Sequence, residues 1–206
     1  MKKLLIPILL SLLCIQILHA QGDTTSYERR PFQFTFLFPP LSTNGAGNAR
    51  IVNDVSLNLF LGVSGGVEAF EAASFINIDR YYVDGVQIAG FGNTVGGWAR
   101  GAQLAGFYNV SGSSHEGFQG AGFVNVAGST VKGAQAAGFI NVAGDSLEGF
   151  QGAGFMNIAG KAGKAVQAAG FGNLAGEGET HFQGAGFINV AEEVNGAQVA
   201  GFMNVA

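Results

Sequence analysis

Residues 117–128 read GFQGAGFVNVAG, and the pattern returns 16 residues later as GAQAAGFINVAG at 133–144. Its core, Gln-x-Ala-Gly-Phe-x-Asn, occurs eight times at this spacing, which shortens to 15 residues only before the last copy. A degenerate copy at 71–77 lies in register before the first one. A fixed period of this kind indicates a repeat architecture in which each unit packs on its neighbours. The sequence therefore predicts an array of about nine units over residues 66–206.

The repeat predicts β-strand rather than helix. In residues 118–127, Phe, Gly and Val alternate with Gln, Ala, Phe and Asn, so the two sets point to opposite faces of a strand. The several glycines of each copy would each cost a helix ~1 kcal/mol relative to Ala. Polar residues between copies, such as 113–116, 145–146 and 177–179, are predicted to be turns and hold almost every charge of the region.

The favoured architecture is all-β, a parallel β-solenoid in which each repeat is one coil. Identical residues then stack, and each Asn or Gln amide can donate to one neighbouring copy and accept from the other. The structural ladders expected from this stacking are Gln87, Gln103, Gln119, Gln135, Gln151, Gln167, Gln183 and Gln198, with Asn93, Asn109, Asn125, Asn141, Asn157, Asn173, Asn189 and Asn204. Ladders that hold register inside or at an edge of the coil are favoured over columns that face outward and bind glycans or other polymers.

The alternative architecture is an antiparallel transmembrane β-barrel that acts as a channel or an anchor. The nine or ten residues of the repeat strand fit the ~9–11 that a tilted strand needs to cross a bilayer. Its Phe and Val face would meet lipid, and its Gln and Asn face would line the interior. Against a barrel, the connectors do not alternate between long loops and short turns, and Trp98 is the only tryptophan available for an aromatic girdle.

Each Phe that precedes a repeat Gln is followed two residues later by Gly, as in Phe118 and Gly120, Phe150 and Gly152, and Phe182 and Gly184. A large residue beside the smallest one on the same face is expected in an interior of limited space. Duplication of a 32-residue pair of units would give the same pattern without any packing requirement.

The first twenty residues have the form of a secretory signal peptide. Lys2 and Lys3 precede an apolar run from Leu4 to Leu18, which is followed by Ala20 and Gln21. The run is shorter than the ~20 residues of a membrane-spanning helix. Cleavage after Ala20 would remove the only cysteine, so the exported chain is expected to contain no disulfide.

Residues 21–65 form a segment of different character. Phe32, Phe34, Phe36 and Phe38 alternate with other residues and predict a strand that ends at the prolines 39–40. Residues 41–53 are rich in Gly and Asn and predict a loop, and residues 55–63 predict a further strand. Because a solenoid needs a terminal cap, this segment is expected to cover the first coil.

The units at 117–128 and 133–144 resemble the uncharacterised surface-repeat proteins of diderm bacteria. The lead-in FPPLSTNG at 38–45 and SLNL at 56–59 resemble the usual N-terminal part of these proteins. The resemblance extends over nearly the whole exported chain. It implies a protein of the outer membrane or cell surface with no assigned activity, and it supplies no catalytic residues.

No catalytic, cofactor-binding or metal-binding residues are expected. A net charge of −4 without a basic run excludes the electrostatic footprint of a nucleic-acid-binding protein. His115 and His181 occupy different places in the connectors and are expected to be solvated polar residues. The glycines of the motif open no helix and therefore no phosphate site. The sequence thus predicts a non-enzymatic exported envelope protein with a structural or adhesive repeat surface, whose partners would be the outer membrane or cell-surface polymers.

Overall fold

A computed structural model describes residues 27–37 and 41–206. The predicted signal peptide and the prolines 39–40 lie outside these residues. The described chain contains one 3-10 helix, Gly45–Arg50, and sixteen strands. The strands are β1 (Glu28–Thr35), β2 (Ile51–Asn58), β3 (Leu61–Ala73), β4 (Ile76–Ala89), β5 (Gly92–Val95), β6 (Trp98–Ala105), β7 (Tyr108–Ser111), β8 (His115–Ala121), β9 (Val124–Ala127), β10 (Thr130–Ala137), β11 (Ile140–Ala153), β12 (Met156–Ala169), β13 (Gly172–Ala185), β14 (Ile188–Val190), β15 (Glu193–Ala200) and β16 (Met203–Val205).

The strands stack as a β-solenoid of about ten turns. Equivalent residues of successive repeats are direct partners, so that Gln135 pairs with Gln119 on one side and with Gln151 on the other. All pairings between the strands of the described chain are parallel, which confirms the predicted solenoid. The antiparallel barrel, on which the channel interpretation depended, is wrong because successive repeats wind in the same direction.

The connectors are not simple turns, because they form the third side of each coil. In the coil that begins at Ser113, one side is 118–121, the second is 124–127, and the connector residues add the third. The residues predicted as turns at 145–146 and 177–179 lie inside β11 and β13. The bend between the connector and the first side falls at Gly117, whose φ of 121° is in the region that favours glycine.

The corner between the first and second sides depends on a column of stacked glycines. A Cβ built on Gly138 would lie 2.1 Å from the carbonyl oxygen of Gly122, one coil earlier. The two backbones therefore approach more closely than any side chain permits, which explains why the Ala-Gly-Phe step is identical in the eight clear copies.

The interior is lined by polar amides and small apolar side chains. The amides come from the first two sides, and the apolar cluster between the second and third sides consists of Ala127, Val131, Ala143, Leu147, Ala159, Ala162, Ala165, Ala175 and Ala191. The largest fully buried side chains are Leu147, His115 and the glutamines, and no phenylalanine of the described residues is among the buried ones.

The Phe and Gly pairs face outward, which corrects the expectation of an interior position. Phe118 remains 40% exposed, and its ring lies against the place where a Cβ on Gly120 would stand, 2.9 Å away. The pairing thus reflects a ring that lies flat on the outer surface of its own coil. Side chains point outward here because the neighbouring Gln points inward and strand residues alternate.

The N-terminal segment stacks on the array as further coils. β1 pairs in parallel with β2, and β2 with β3, so that Gln33, Ser56 and Glu71 continue the glutamine column backward from Gln87. The region predicted as a loop at 41–53 contains the 3-10 helix and the start of β2. Among the described residues, no helix has the length and apolarity needed to cross a membrane.

Candidate functional site

The glutamine column forms a continuous chain of side-chain hydrogen bonds. Each Nε2 donates to the Oε1 of the Gln one coil earlier, as Gln135 does to Gln119 at 2.7 Å. The seven such bonds from Gln198 back to Gln87 measure 2.7–2.8 Å. Seven of the predicted glutamines are fully buried or nearly so, and Gln198 in the last coil is half-buried.

The asparagine column forms a second chain that runs in the opposite direction. Each Nδ2 donates to the Oδ1 of the Asn one coil later, as Asn125 does to Asn141 at 2.9 Å. The same nitrogen also donates to a backbone carbonyl of the following coil, which for Asn125 is that of Ala136 at 2.8 Å. The asparagines from Asn93 to Asn189 are fully buried, whereas Asn204 is exposed.

The burial of both columns decides between their two interpretations. Because the amides face the interior and bond to each other, they present no outward hydrogen-bonding surface to a glycan or other polymer. Their role is to satisfy polar groups inside the coil while holding successive repeats in register. An amide chain can do this at every coil because each group is both donor and acceptor.

Two buried carboxyl groups end the glutamine chain. Glu71 occupies the Gln position of the degenerate copy, whereas Asp79 lies outside the motif and had no signal in the repeat. Gln87 Nε2 donates to Glu71 Oε2 at 2.9 Å and to Asp79 Oδ2 at 2.5 Å. Glu71 also accepts from Asn58 at 3.0 Å, and Asp79 accepts from the Ser64 hydroxyl at 2.5 Å. Burial, followed by the adjacent charge of Glu71, raises the pKa of Asp79 well above its ordinary value. The arrangement favours a protonated Asp79 beside Glu71.

The two histidines differ in environment, which corrects half of the prediction. His181 is partly exposed and lies 4.0 Å from Glu179. His115 is completely buried at the start of β8, in the column that holds Ala99 and Val131 in adjacent coils. Burial lowers the pKa of His115 to about 4, although the nearby backbone of Phe118 opposes this shift. The prediction was wrong for His115 because this connector is not solvated throughout but contributes a buried residue to the interior of the coil.

The described residues contain no group of three or more His, Cys, Asp or Glu side chains that could hold a metal ion. A shallow, open depression lies between Glu148, Gly149, Gly163 and Lys164, where the register of β12 shifts against both of its neighbours, β11 and β13. Lys164 has a φ of 62°, in the region that favours glycine, and takes up part of this irregularity.

The outer surface of the first two sides is uncharged along the array. In each of the eight clear copies, the nine residues that begin just before the Gln and end just after the Asn, such as 118–126, include no charged side chain. The outward residues on these sides are apolar apart from Thr94 and Tyr108, and many stay exposed, among them Ile88, Leu104, Phe118, Phe150, Leu174 and Phe182. We call this surface the apolar wedge.

An aromatic column forms the corner of the apolar wedge. Ten phenylalanine rings stack with centroids 4.7–5.1 Å apart and interplanar angles of 1–23°. They are Phe60, Phe75, Phe91, Phe107, Phe123, Phe139, Phe155, Phe171, Phe187 and Phe202. Most of them expose more than a third of their surface.

The charges lie on the third side of the coil. Direct partners in successive coils alternate in sign at every step, in the order Asp84, Arg100, Glu116, Lys132 and Glu148. Arg100 pairs with Asp84, and Lys132 Nζ lies 3.7 Å from Glu148. The side therefore carries a mixed charge ladder opposite the aromatic corner.

Comparisons with protein-family models, with curated proteins and with solved structures each found no match to this chain. The class of protein that the geometry defines is a parallel β-solenoid with an amide-bonded interior and an apolar wedge.

Proposed function

We propose that the chain is a non-enzymatic, exported envelope protein whose repeat array serves as a structural or adhesive surface. The observation that carries this proposal is the apolar wedge, an uncharged surface that continues over every clear copy of the repeat. Contiguous exposed apolar areas beyond a few hundred Å² mark interaction surfaces rather than ordinary protein exterior.

The use of the polar residues supports a structural role. The amides of the Gln and Asn columns are occupied by bonds to each other and to the backbone. Glu71 and Asp79 accept bonds from the ends of these columns, and His115 stands among Ala99 and Val131. The amide side chains thus hold the coils together, and Glu71, Asp79 and His115 are buried in the interior.

Two features of the sequence support export to the outer membrane or cell surface of a diderm bacterium. Residues 1–20 have the form of a signal peptide, and the repeat units resemble bacterial surface-repeat proteins. An outward-facing wedge would then be available to the membrane or to other surface components.

Localisation in a diderm host tests this proposal. The full chain would be produced with a short epitope inserted between Ser113 and Ser114, which lie at the start of a coil on the polar side. We expect a product shortened by the mass of residues 1–20, recovered in the envelope fraction, with the epitope detected on intact cells. A chain with Lys2 and Lys3 changed to Glu is the matched control, since it should lose export. Recovery of the unshortened parent chain in the cytosol would refute the proposal.

A further inference from the structure

We infer that the apolar wedge seats on a lipid bilayer surface, with the aromatic corner in the apolar region and the charged side in water. This inference rests on the proposed function, since it names the partner of that surface. Three observations lead to lipid: the distribution of charge, the scarcity of outward hydrogen-bonding groups, and the two-sided shape of the surface.

The charge distribution matches that of a body lying at a membrane interface. The charged column Asp84, Arg100, Glu116, Lys132 and Glu148 follows the third side of the coil. In a three-sided coil that side is opposite the corner where the other two meet. The solenoid is therefore amphipathic across its axis, in the way that an interfacial helix is.

The wedge offers almost nothing that a protein or glycan partner could bond. Its backbone groups are taken up by the parallel ladders between coils, and Thr94 and Tyr108 are its only outward polar side chains in the clear copies. Typical protein interfaces include about ten direct hydrogen bonds as well as a polar rim. Acyl chains require no such bonds, so the surface suits them better.

The shape of the surface points the same way. At about 4.8 Å per coil the eight clear copies extend for about 40 Å, and two sides of about 13 Å give an area on the order of 1,000 Å². The two sides diverge from the corner of stacked rings, so a flat second copy could cover only one of them. A fluid bilayer can close around both.

Vesicle binding with an internal orientation marker tests the inference. The exported form of the chain would be mixed with vesicles of phosphatidylcholine, alone or with phosphatidylglycerol, and separated by flotation. We expect it to float with both kinds of vesicle to a similar degree, because the charges of the opposite side are of mixed sign. A requirement for the anionic lipid would instead assign binding to the charged side and overturn the inference.

Substitutions at the wedge separate its role from that of the rest of the chain. We expect Phe123→Lys and Leu104→Lys each to lower the vesicle-bound to free ratio at least tenfold, roughly the effect of losing one buried apolar side chain. Phe123→Leu should retain binding, and Lys132→Gln on the third side is the control that should leave it unchanged. Circular dichroism and thermal melting identify any variant that does not fold, in which case Leu104→Lys, outside the ring column, decides the result.

The single tryptophan reports the orientation. Trp98 stands beside Arg100 on the charged side, with the guanidinium 5.9 Å from its ring centre. We expect its emission to stay accessible to iodide when vesicles are bound. In a Trp98→Phe, Phe155→Trp variant, the corner tryptophan should be quenched by brominated lipid. The opposite quenching pattern would overturn the inference.

The outcomes distinguish the two proposals. If the chain reaches the envelope of cells but does not float with either vesicle, the lipid inference is wrong and the proposed function stands. Self-association in sedimentation velocity together with absent flotation would assign the wedge to a second copy of the chain. If the chain binds vesicles but stays in the cytosol of cells, the proposed function fails instead.

Discussion

Replacement of one amide in the asparagine column gives the most direct measure of what holds the coils together. Asn141 accepts from Asn125 at 2.9 Å and donates to the backbone carbonyl of Gly152 at 2.7 Å and to Asn157 at 3.0 Å. Asn141→Leu keeps the branched shape and the number of side-chain heavy atoms, although its methyl groups are larger, and removes these bonds. Three buried partner groups then lose a bond, and at roughly 1–3 kcal/mol each we expect the free energy of unfolding to fall by about 3–6 kcal/mol.

Denaturant unfolding followed by far-UV circular dichroism measures this loss. Asn204→Leu is the matched control: Asn204 is exposed in the last coil and accepts from Asn189, so its replacement should cost about 1 kcal/mol or less. Because repeat arrays can unfold in parts, the slope of the transition must be the same in parent and variants before the midpoints are compared. A loss below about 1 kcal/mol for Asn141→Leu, or equal losses for both variants, would refute the ladder as a source of stability.

Three further predictions concern the interior and the corner. His115→Val, which introduces the residue type of Val131 in the next coil, should make the protein more stable than the parent in acid. The pKa of His115 in the folded protein is about 4, below the ordinary 6.5. The stability of the parent is therefore complete above pH 6.5 and declines by up to about 3 kcal/mol towards pH 4. Parallel pH profiles of thermal melting for parent and variant would contradict this. Glu71→Gln restores the amide that the repeat has at this position and removes the charge beside Asp79. Because the pKa of Asp79 is raised in the folded protein, the parent loses stability as the pH rises above about 4. The variant should therefore have the higher denaturation midpoint at pH 7, and a lower one there would show that the carboxyl pair stabilises the coil. Gly138→Ala would place a Cβ 2.1 Å from a backbone oxygen and should lower the free energy of unfolding, measured in denaturant, by more than about 2 kcal/mol. Gly152→Ala meets the movable ring of Phe150 and should lower it by less than about 1 kcal/mol. Similar losses for the two variants would refute the close-approach argument.

The repeat period made the stacking of coils predictable. A constant interval of 16 residues can hold register only if each repeat is one coil or one strand, so Gln119 and Gln135 had to occupy equivalent places. Whether neighbouring repeats run parallel or antiparallel was harder to predict, because antiparallel strands would show the same alternation of residues. Parallel stacking places identical amides directly against each other, and this favours it over the alternative.

The directions in which side chains point were less predictable. The usual rule places rings inside and amides outside, but Phe118 is on the surface and Gln119 is buried. Amide chains reverse the rule because they satisfy their own polar groups at every coil. The third side escaped detection because its residues vary in type. A signal was nevertheless present, since Ala99, His115 and Val131 each stand two residues before a glycine.

The proximity of Asp79 to Glu71 depended on a contact that the repeat does not fix, whereas the charge ladder follows the 16-residue period. Asp79 occurs in one copy, and its proximity to Glu71 arises from the way that coil closes. No period in the sequence marks such a pair. Pairwise contacts of this kind become visible only when the course of the individual coil is known.

The opposite directions of the two amide columns have an electrostatic consequence for the length of the molecule. Dipoles aligned head to tail add along a helix and create partial charges at its ends. Here the Gln amides point their hydrogens towards the start of the chain and the Asn amides towards its end. The two contributions oppose each other within each coil. Gain or loss of a repeat therefore leaves the axial field of the side chains nearly unchanged, and arrays of very different lengths can share the same interior.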